Sequence, residues 1–226
     1  MGYKADVIKE YFIHYNEYIS NDFILKGGNN QVELLNKDIN EWTITFVETG
    51  NSTSIGERLV IVKDYLEGEE MFLANYSDGL TDMNLNNYIE WFKNQPEKVA
   101  SFMAYQPKYS FHIVQREEDG LVKNISHINS AGLFINTGYF IMRKTFFDYI
   151  NYGEEIVEEP FRKLIKEKKL VSWKHEGFWA SMDTYKDKQL LDEKYEHGDR
   201  PWEVWNHKKR NGIISNGKHL HNNDKY

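Results

Sequence analysis

Between Trp42 and Tyr105 the chain alternates three short apolar runs with two stretches whose apolar residues recur at helical spacing. Trp42-Thr43-Ile44-Thr45-Phe46-Val47 reads as a strand that stops at Glu48-Thr49-Gly50, and Ile55, Leu59, Val62 and Leu66 then share one helical face. Residues 71–74 form a second strand-like run, Leu85, Tyr88, Ile89 and Phe92 mark a second helix, and Val99 to Tyr105 is a third strand. This order predicts an α/β fold in which parallel strands are joined by crossover helices. Binding sites in such sheets form at the carboxyl ends of the strands.

One such end carries a carboxylate. The apolar run before Tyr76 breaks at Ser77-Asp78-Gly79, and a second apolar-to-acidic junction occurs at Phe178-Trp179-Ala180-Ser181-Met182-Asp183. Two carboxylates brought together by folding suit Mg²⁺, a hard cation that takes one or two carboxylates and leaves room for phosphate oxygens. Phosphoryl-group transfer asks for little more than in-line placement of the reacting oxygens and neutralisation of developing charge. Each junction also has a plain structural reading: Asp78 as the start of a Gly-containing turn, Asp183 as a cap or near-cap of a helix over Thr184 to Tyr195. Asp82 reads as a loop or helix-start residue.

The rest of the chain supplies a frame. Val7, Ile8, Tyr11 and Phe12 have helical spacing, and residues 22–41 read as two weak extended pieces around Gly27-Gly28-Asn29-Asn30. Closely spaced strands follow over Phe111–Arg116, Leu121–Ile128 and Leu133–Met142, with Glu118-Asp119-Gly120 as a hairpin turn. A helix is predicted from Lys144 to Ile150. Pro160 fits the first turn of another, packed through Phe161, Leu164 and Ile165. Leu170–Lys174 then reads as a strand and Lys186–Tyr195 as a helix. Residues 1–205 are read as one domain, and the polar stretch 206–226, with its three histidines, as a mobile tail.

Composition narrows the function classes. A formal charge of −7 provides no broad basic field for a nucleic-acid polymer. Without cysteine there is no disulfide scaffold, thiol nucleophile or thiolate-bound zinc. No apolar stretch reaches membrane-spanning length and no signal-peptide pattern opens the chain, so direct membrane insertion is not expected and the cytoplasm is the default location. Beyond the two aspartates, Asn136-Thr137-Gly138 is a polar break in an apolar run that reads either as a sugar-binding element or as a strand bulge. Arg58 and Lys174 are candidate phosphate contacts, and Tyr76 and Tyr109 candidate base or sugar contacts. His112, His127 and His175 show no ligand spacing and are read as structural or surface residues.

Taken in order, these segments resemble the sugar-1-phosphate nucleotidyltransferases, and within them the glucose-1-phosphate cytidylyltransferase branch. The resemblance runs through Gly2-Tyr3-Lys4, Trp42 to Gly50, Ser77-Asp78-Gly79-Leu80-Thr81-Asp82 and Phe134 to Phe140. It continues at Glu159-Pro160, His175-Glu176-Gly177-Phe178-Trp179 and Met182-Asp183-Thr184, with Asp187-Lys188. It implies a Rossmann-like mixed sheet flanked by helices, and an enzyme that uses Mg²⁺ to join CTP to glucose 1-phosphate, giving CDP-glucose and pyrophosphate. Such CDP-glucose feeds polysaccharide biosynthesis. By the same resemblance Asp78 and Asp183 are the metal-binding and catalytic aspartates, with Arg58, Tyr76 and Gly79 on the nucleotide side. Asn136, Thr137, Gly138 and Glu159 correspond to the hexose side, and a homo-oligomer is the common assembly.

The chain also departs from the family pattern. Relatives open on a strand and a Gly-rich triphosphate loop, and this chain is read as starting after both, N-terminally truncated. Where they carry Phe-x-Glu-Lys-Pro, with the lysine on the sugar phosphate, it has Ile125-Ser126-His127-Ile128-Asn129. Ser54-Ile55-Gly56-Glu57-Arg58 keeps one glycine and the arginine of a Thr-Gly-Gly-Arg element, and Tyr109-Ser110-Phe111 replaces an Arg-Phe-Gly turn. Two alternatives to a stand-alone enzyme follow: a catalytically inactive nucleotide-sugar-binding or structural partner, and a chain completed by a complementing N-terminal polypeptide.

Overall fold

The computed structural model describes residues 1–28, 31–108 and 110–205. The predicted mobile tail, with its histidines, lies outside these residues, as do Asn29, Asn30 and Tyr109. Two units emerge, residues 1–68 with 150–160, and residues 69–149 with those from 161 onward.

In the first unit, the expected opening helix is α1 (Ala5–Ile13). It buries none of its residues, and Val7, Ile8 and Tyr11 remain exposed. A short α2 (Glu17–Ser20) is capped by the Asn16 side chain, which accepts from the Tyr18 N–H. The two weak extended pieces form a hairpin of β1 (Phe23–Lys26) and β2 (Gln31–Leu34). The helix expected from Ile55 to Leu66 is divided: α3 (Ile55–Ile61) begins in a Ser54/Glu57 capping box and gives way to a 3₁₀ turn over Lys63–Leu66.

Trp42–Val47 corrects the sequence reading. Its residues form no strand, and Trp42 and Ile44 are exposed. A β-rich composition makes a strand only where a neighbour supplies the ladder. Here the Trp42 N–H donates to the Ile39 carbonyl at 2.8 Å and the Val47 carbonyl accepts from the N-terminal amine of Met1, contacts that build no ladder.

The second unit is built on β3 (Met71–Asn75), β4 (Gly79–Thr81), α4 (Leu85–Lys93), β5 (Ala100–Tyr105), β6 (His112–Arg116), β7 (Val122–His127) and β8 (Ile135–Arg143). It continues with α5 (Glu159–Lys166), whose first two residues belong to the first unit, then β9 (Leu170–His175), β10 (Trp179–Ser181) and α6 (Tyr185–Glu196). Four strands make one sheet in the order β3-β8-β5-β9. β8 runs antiparallel to both β3 and β5, while β9 is parallel to β5. Thus β3 and β5 point the same way and α4 crosses between them, but β8 is threaded between the two. The sheet is mixed, as the resemblance implied. β6 and β7 form the predicted hairpin and β4 pairs with β10.

Both faces of the sheet are covered. On one, Tyr88 and Phe92 of α4 pack with Met83, Met103 and Ile141, and the Tyr88 hydroxyl lies 2.6 Å from Ser101 Oγ in the buried interior. Burial pushes the Tyr88 phenol pKa well above its ordinary value. On the other, Phe161 of α5 packs against Phe102 and Phe140, and Phe72 stacks on Phe147. The helix expected over Lys144–Ile150 is a 3₁₀ turn, Lys144–Asp148, which buries Phe146 and Phe147. α5 buries Phe161 and Leu164, but Ile165 is 61% exposed and does not belong to its packing face. Among the described residues, no helix is long and apolar enough to cross a membrane.

Candidate functional site

The β4–β10 ladder brings the backbones of the two acidic junctions to one of its ends. β3 ends at Asn75, Tyr76 donates its N–H to the Gly138 carbonyl at 2.9 Å, and Ser77-Asp78 turns the chain into β4. The ladder sets Thr81 opposite Trp179, Leu80 opposite Ala180 and Gly79 opposite Ser181. One step further, the Met182 N–H donates to the Asp78 carbonyl at 2.9 Å. Asp78 therefore faces Met182, and Asp183 follows at the same end of the ladder.

Each aspartate occupies the plain structural position its sequence reading allowed, Asp78 in the turn that leads into Gly79 and Asp183 beside the cap of α6. The N-cap of α6 is Thr184, in a capping box with Asp187, so Asp183 stands one residue before the cap. Asp183 is exposed, and its Oδ2 accepts from Ser181 Oγ at 2.7 Å. Asp78 sits in the turn, half-buried. Tyr139 donates its hydroxyl to the Gly79 carbonyl at 2.6 Å, and its pKa is raised, first by burial and then by the charge of Asp78. That coupling puts the Tyr139 phenol within the field of the Asp78 carboxylate.

The polar break in β8 is both a bulge and a neighbour of this corner. The register between β5 and β8 shifts between Phe102 and Ala104, opposite Asn136 to Phe140. Thr137, 3% exposed, donates its hydroxyl to the Met103 carbonyl at 2.8 Å, and Asn136 Oδ1 accepts from the Gly138 N–H at 3.0 Å. Gly138 has φ +79°, and a Cβ there would lie 2.4 Å from Cδ2 of Tyr76. Glycine thus allows both the left-handed backbone and the approach of the Tyr76 ring.

Other candidates are placed differently. Arg58, in the first unit, directs its guanidinium to its own loop: Nη1 to Thr49 Oγ1 at 2.6 Å and Nε to the Thr53 carbonyl at 3.1 Å. Glu159, also in the first unit, opens α5. Lys174 is paired with Glu176 at 2.6 Å and lines a cavity of about 340 Å³ at the ends of β5 and β9, together with Tyr105, Lys108 and Asn129. His112 and His127 face each other across the β6–β7 hairpin.

Sequence reasoning missed the work of Asp82 and His175. Asp82 Oδ1 accepts from the Phe178 N–H at 2.8 Å and lies 2.9 Å from His175 Nε2. In the sequence, the one sign of this is the place of Asp82 four residues after Asp78, within Ser77-Asp78-Gly79-Leu80-Thr81-Asp82. Tyr139 had no signal beyond following the polar break.

A divalent cation is chemically compatible with this corner. Asp78 and Asp183 offer hard oxygen donors at one strand end, and no group of three or more His, Asp or Glu suited to a metal exists among the described residues. Two protein carboxylates with open positions suit Mg²⁺ shared with phosphates better than an all-protein cage.

No protein-family model matches the chain. Over 207 residues it is 35% identical to the probable glucose-1-phosphate cytidylyltransferase of Bacillus subtilis, a match covering 91% of this chain and 80% of that protein. The glucose-1-phosphate cytidylyltransferase of Salmonella typhi is 33% identical over 205 residues, covering 90% of this chain and 79% of that protein. Among solved structures, HddC from Yersinia pseudotuberculosis superimposes with a TM-score of 0.52 at 15% identity, over 86% of this chain and 76% of that one. Its complex with GMP-PN gives 0.53 over the same shares. These structural matches support the α/β mixed-sheet architecture.

Proposed function

Because this chain belongs to the sugar-activating nucleotidyltransferase family, we propose that it transfers CMP from CTP to glucose 1-phosphate. An oxygen of the sugar phosphate attacks the α-phosphorus of CTP. The new P–O bond forms as the bond from that phosphorus to the bridging oxygen breaks, and pyrophosphate leaves with the electron pair. The products are CDP-glucose and pyrophosphate.

In this reading Asp78 and Asp183 hold Mg²⁺. The bound ion would neutralise charge on the phosphates and on the departing pyrophosphate. Gly79 and Tyr76, beside Asp78, are assigned to the nucleotide side. Asn136, Thr137 and Gly138 are assigned to the hexose. Tyr139 holds the Gly79 carbonyl and thereby the backbone that presents Asp78.

The observation that carries the proposal is the ladder register that sets Asp78 beside Met182-Asp183, in a chain alignable over most of its length with two cytidylyltransferases. A second reading, binding of a nucleotide sugar without turnover, is favoured by His127-Ile128-Asn129, where the family resemblance calls for Glu-Lys-Pro.

Pyrophosphate release separates the two. Release is expected only when CTP, glucose 1-phosphate and Mg²⁺ are all present, and chelation with EDTA should stop it. CDP-glucose binding with no release under any combination would select the second reading.

A further inference from the structure

The ladder that joins the two aspartates is too short to place them by itself. It has three residue pairs, and its strands are remote in sequence: Thr81 and Phe178 are 97 residues apart. A two-stranded pairing of this length is marginal in water. Register therefore has to be set by something beyond the ladder, because a one-residue slip of a strand turns each of its side chains to the opposite face. In β10 such a slip would carry Asp183 away from its position next to Asp78.

The end of the ladder remote from Asp78 holds a compact set of polar contacts. The Asp82 N–H and the Thr81 hydroxyl both donate to the Phe178 carbonyl, at 3.2 and 3.0 Å. Asp82 Oδ1 accepts from the Phe178 N–H at 2.8 Å, so Asp82 and Phe178 are joined in both directions. His175 Nε2 lies 2.9 Å from Asp82 Oδ1 and 3.0 Å from the Phe178 carbonyl. Both neighbours are acceptors, which assigns a proton to Nε2. The His175 side chain is only 10% exposed, and Tyr105 covers its ring at 6.4 Å. Gly177 completes the closure, since a Cβ at that position would lie 2.3 Å from Asp82 Oδ1.

We propose that Asp82 and His175 are positioning residues for the divalent-cation site, forming a latch that fixes β10 in register on β4 and so sets Asp183 beside Asp78. The latch rests on the reading that these two aspartates hold the cation. It acts through backbone placement and touches neither the cation nor the substrates.

Mn²⁺ binding, followed by loss of the electron paramagnetic resonance signal of the free ion, tests the latch without requiring turnover. Asp82→Ala is expected to weaken Mn²⁺ binding by about 10- to 100-fold, the range typical for partners that orient metal ligands. Asp82→Asn retains an oxygen acceptor for the Phe178 N–H and should recover most of the affinity. Phe92→Leu, a core variant that lowers stability, should leave Mn²⁺ affinity unchanged, which separates positioning from general destabilisation. If Asp82→Ala does not fold, His175→Gln reads the same coupling and is expected to weaken Mn²⁺ in the same direction. Wild-type Mn²⁺ affinity in folded Asp82→Ala or His175→Gln, alongside lost binding in Asp78→Ala, overturns the latch and leaves the cation site standing. Unchanged binding in both Asp78→Ala and Asp183→Ala overturns the cation site and the latch together.

Discussion

Asp183→Ala is expected to lower the initial rate of pyrophosphate release by at least about a thousandfold, roughly 4 kcal/mol of transition-state stabilisation. The fold should survive the change. Asp183 is exposed, precedes the α6 cap without serving as it, and makes a side-chain hydrogen bond to Ser181. Surface positions of this kind usually alter stability by no more than about 0.5 kcal/mol. A large rate loss without a shift in melting temperature therefore separates a chemical role from a structural one. Asp78→Ala should lose turnover to a similar degree, because its contact with β10 is made by the backbone carbonyl and is retained. Wild-type turnover in a folded Asp183→Ala protein would remove that residue from the chemistry.

The second large effect concerns stability. Phe92→Ala should cost about 3–5 kcal/mol, measured as a lowered midpoint in urea unfolding. Phe92 is fully buried and packs with Met83, Tyr88, Met103 and Ile141, while the Arg143 guanidinium lies 5.0 Å from its ring centre. A cavity at this point would be lined by side chains fixed on three different elements and would not collapse readily. Against a typical domain stability of about 5–15 kcal/mol, the loss is large. Ile165→Ala, at a position exposed on α5, should stay within about 0.5 kcal/mol of wild type. Equal losses at both positions would contradict the core described for the second unit.

That contrast also shows where sequence patterns are informative. The helical spacing of Leu85, Tyr88, Ile89 and Phe92 reads correctly as a helix, and α4 occupies the expected segment with Tyr88 and Phe92 buried, although Leu85 at its start stays exposed. Ser77-Asp78-Gly79 reads correctly as a strand end, and Glu118-Asp119-Gly120 as a hairpin turn, because both depend on nearby residues. Ile165 misleads because helical spacing names a face without saying how wide its neighbour is. Trp42–Val47 misleads because alternation and β-branched residues describe a strand's chemistry, while a ladder needs a partner.

Long-range pairing was least legible. Nothing near β3 or β5 announces that β8 will be threaded between them. That the Asp78 and Asp183 junctions share one end of a ladder is not visible from either junction alone, and the three-pair register that places them there appears only on folding. The Asp82–His175 contact is of the same kind. Each residue has an ordinary local reading, and their joint role exists only once β9, β10 and β4 are assembled.

The most direct test is to locate the cation by anomalous scattering in crystals grown with Mn²⁺ and CTP. The account predicts a single strong peak within coordination distance of the Asp78 and Asp183 carboxylates, with phosphate oxygens completing its surroundings. Full Mn²⁺ occupancy at another set of ligands, with both aspartates facing solvent, would contradict it.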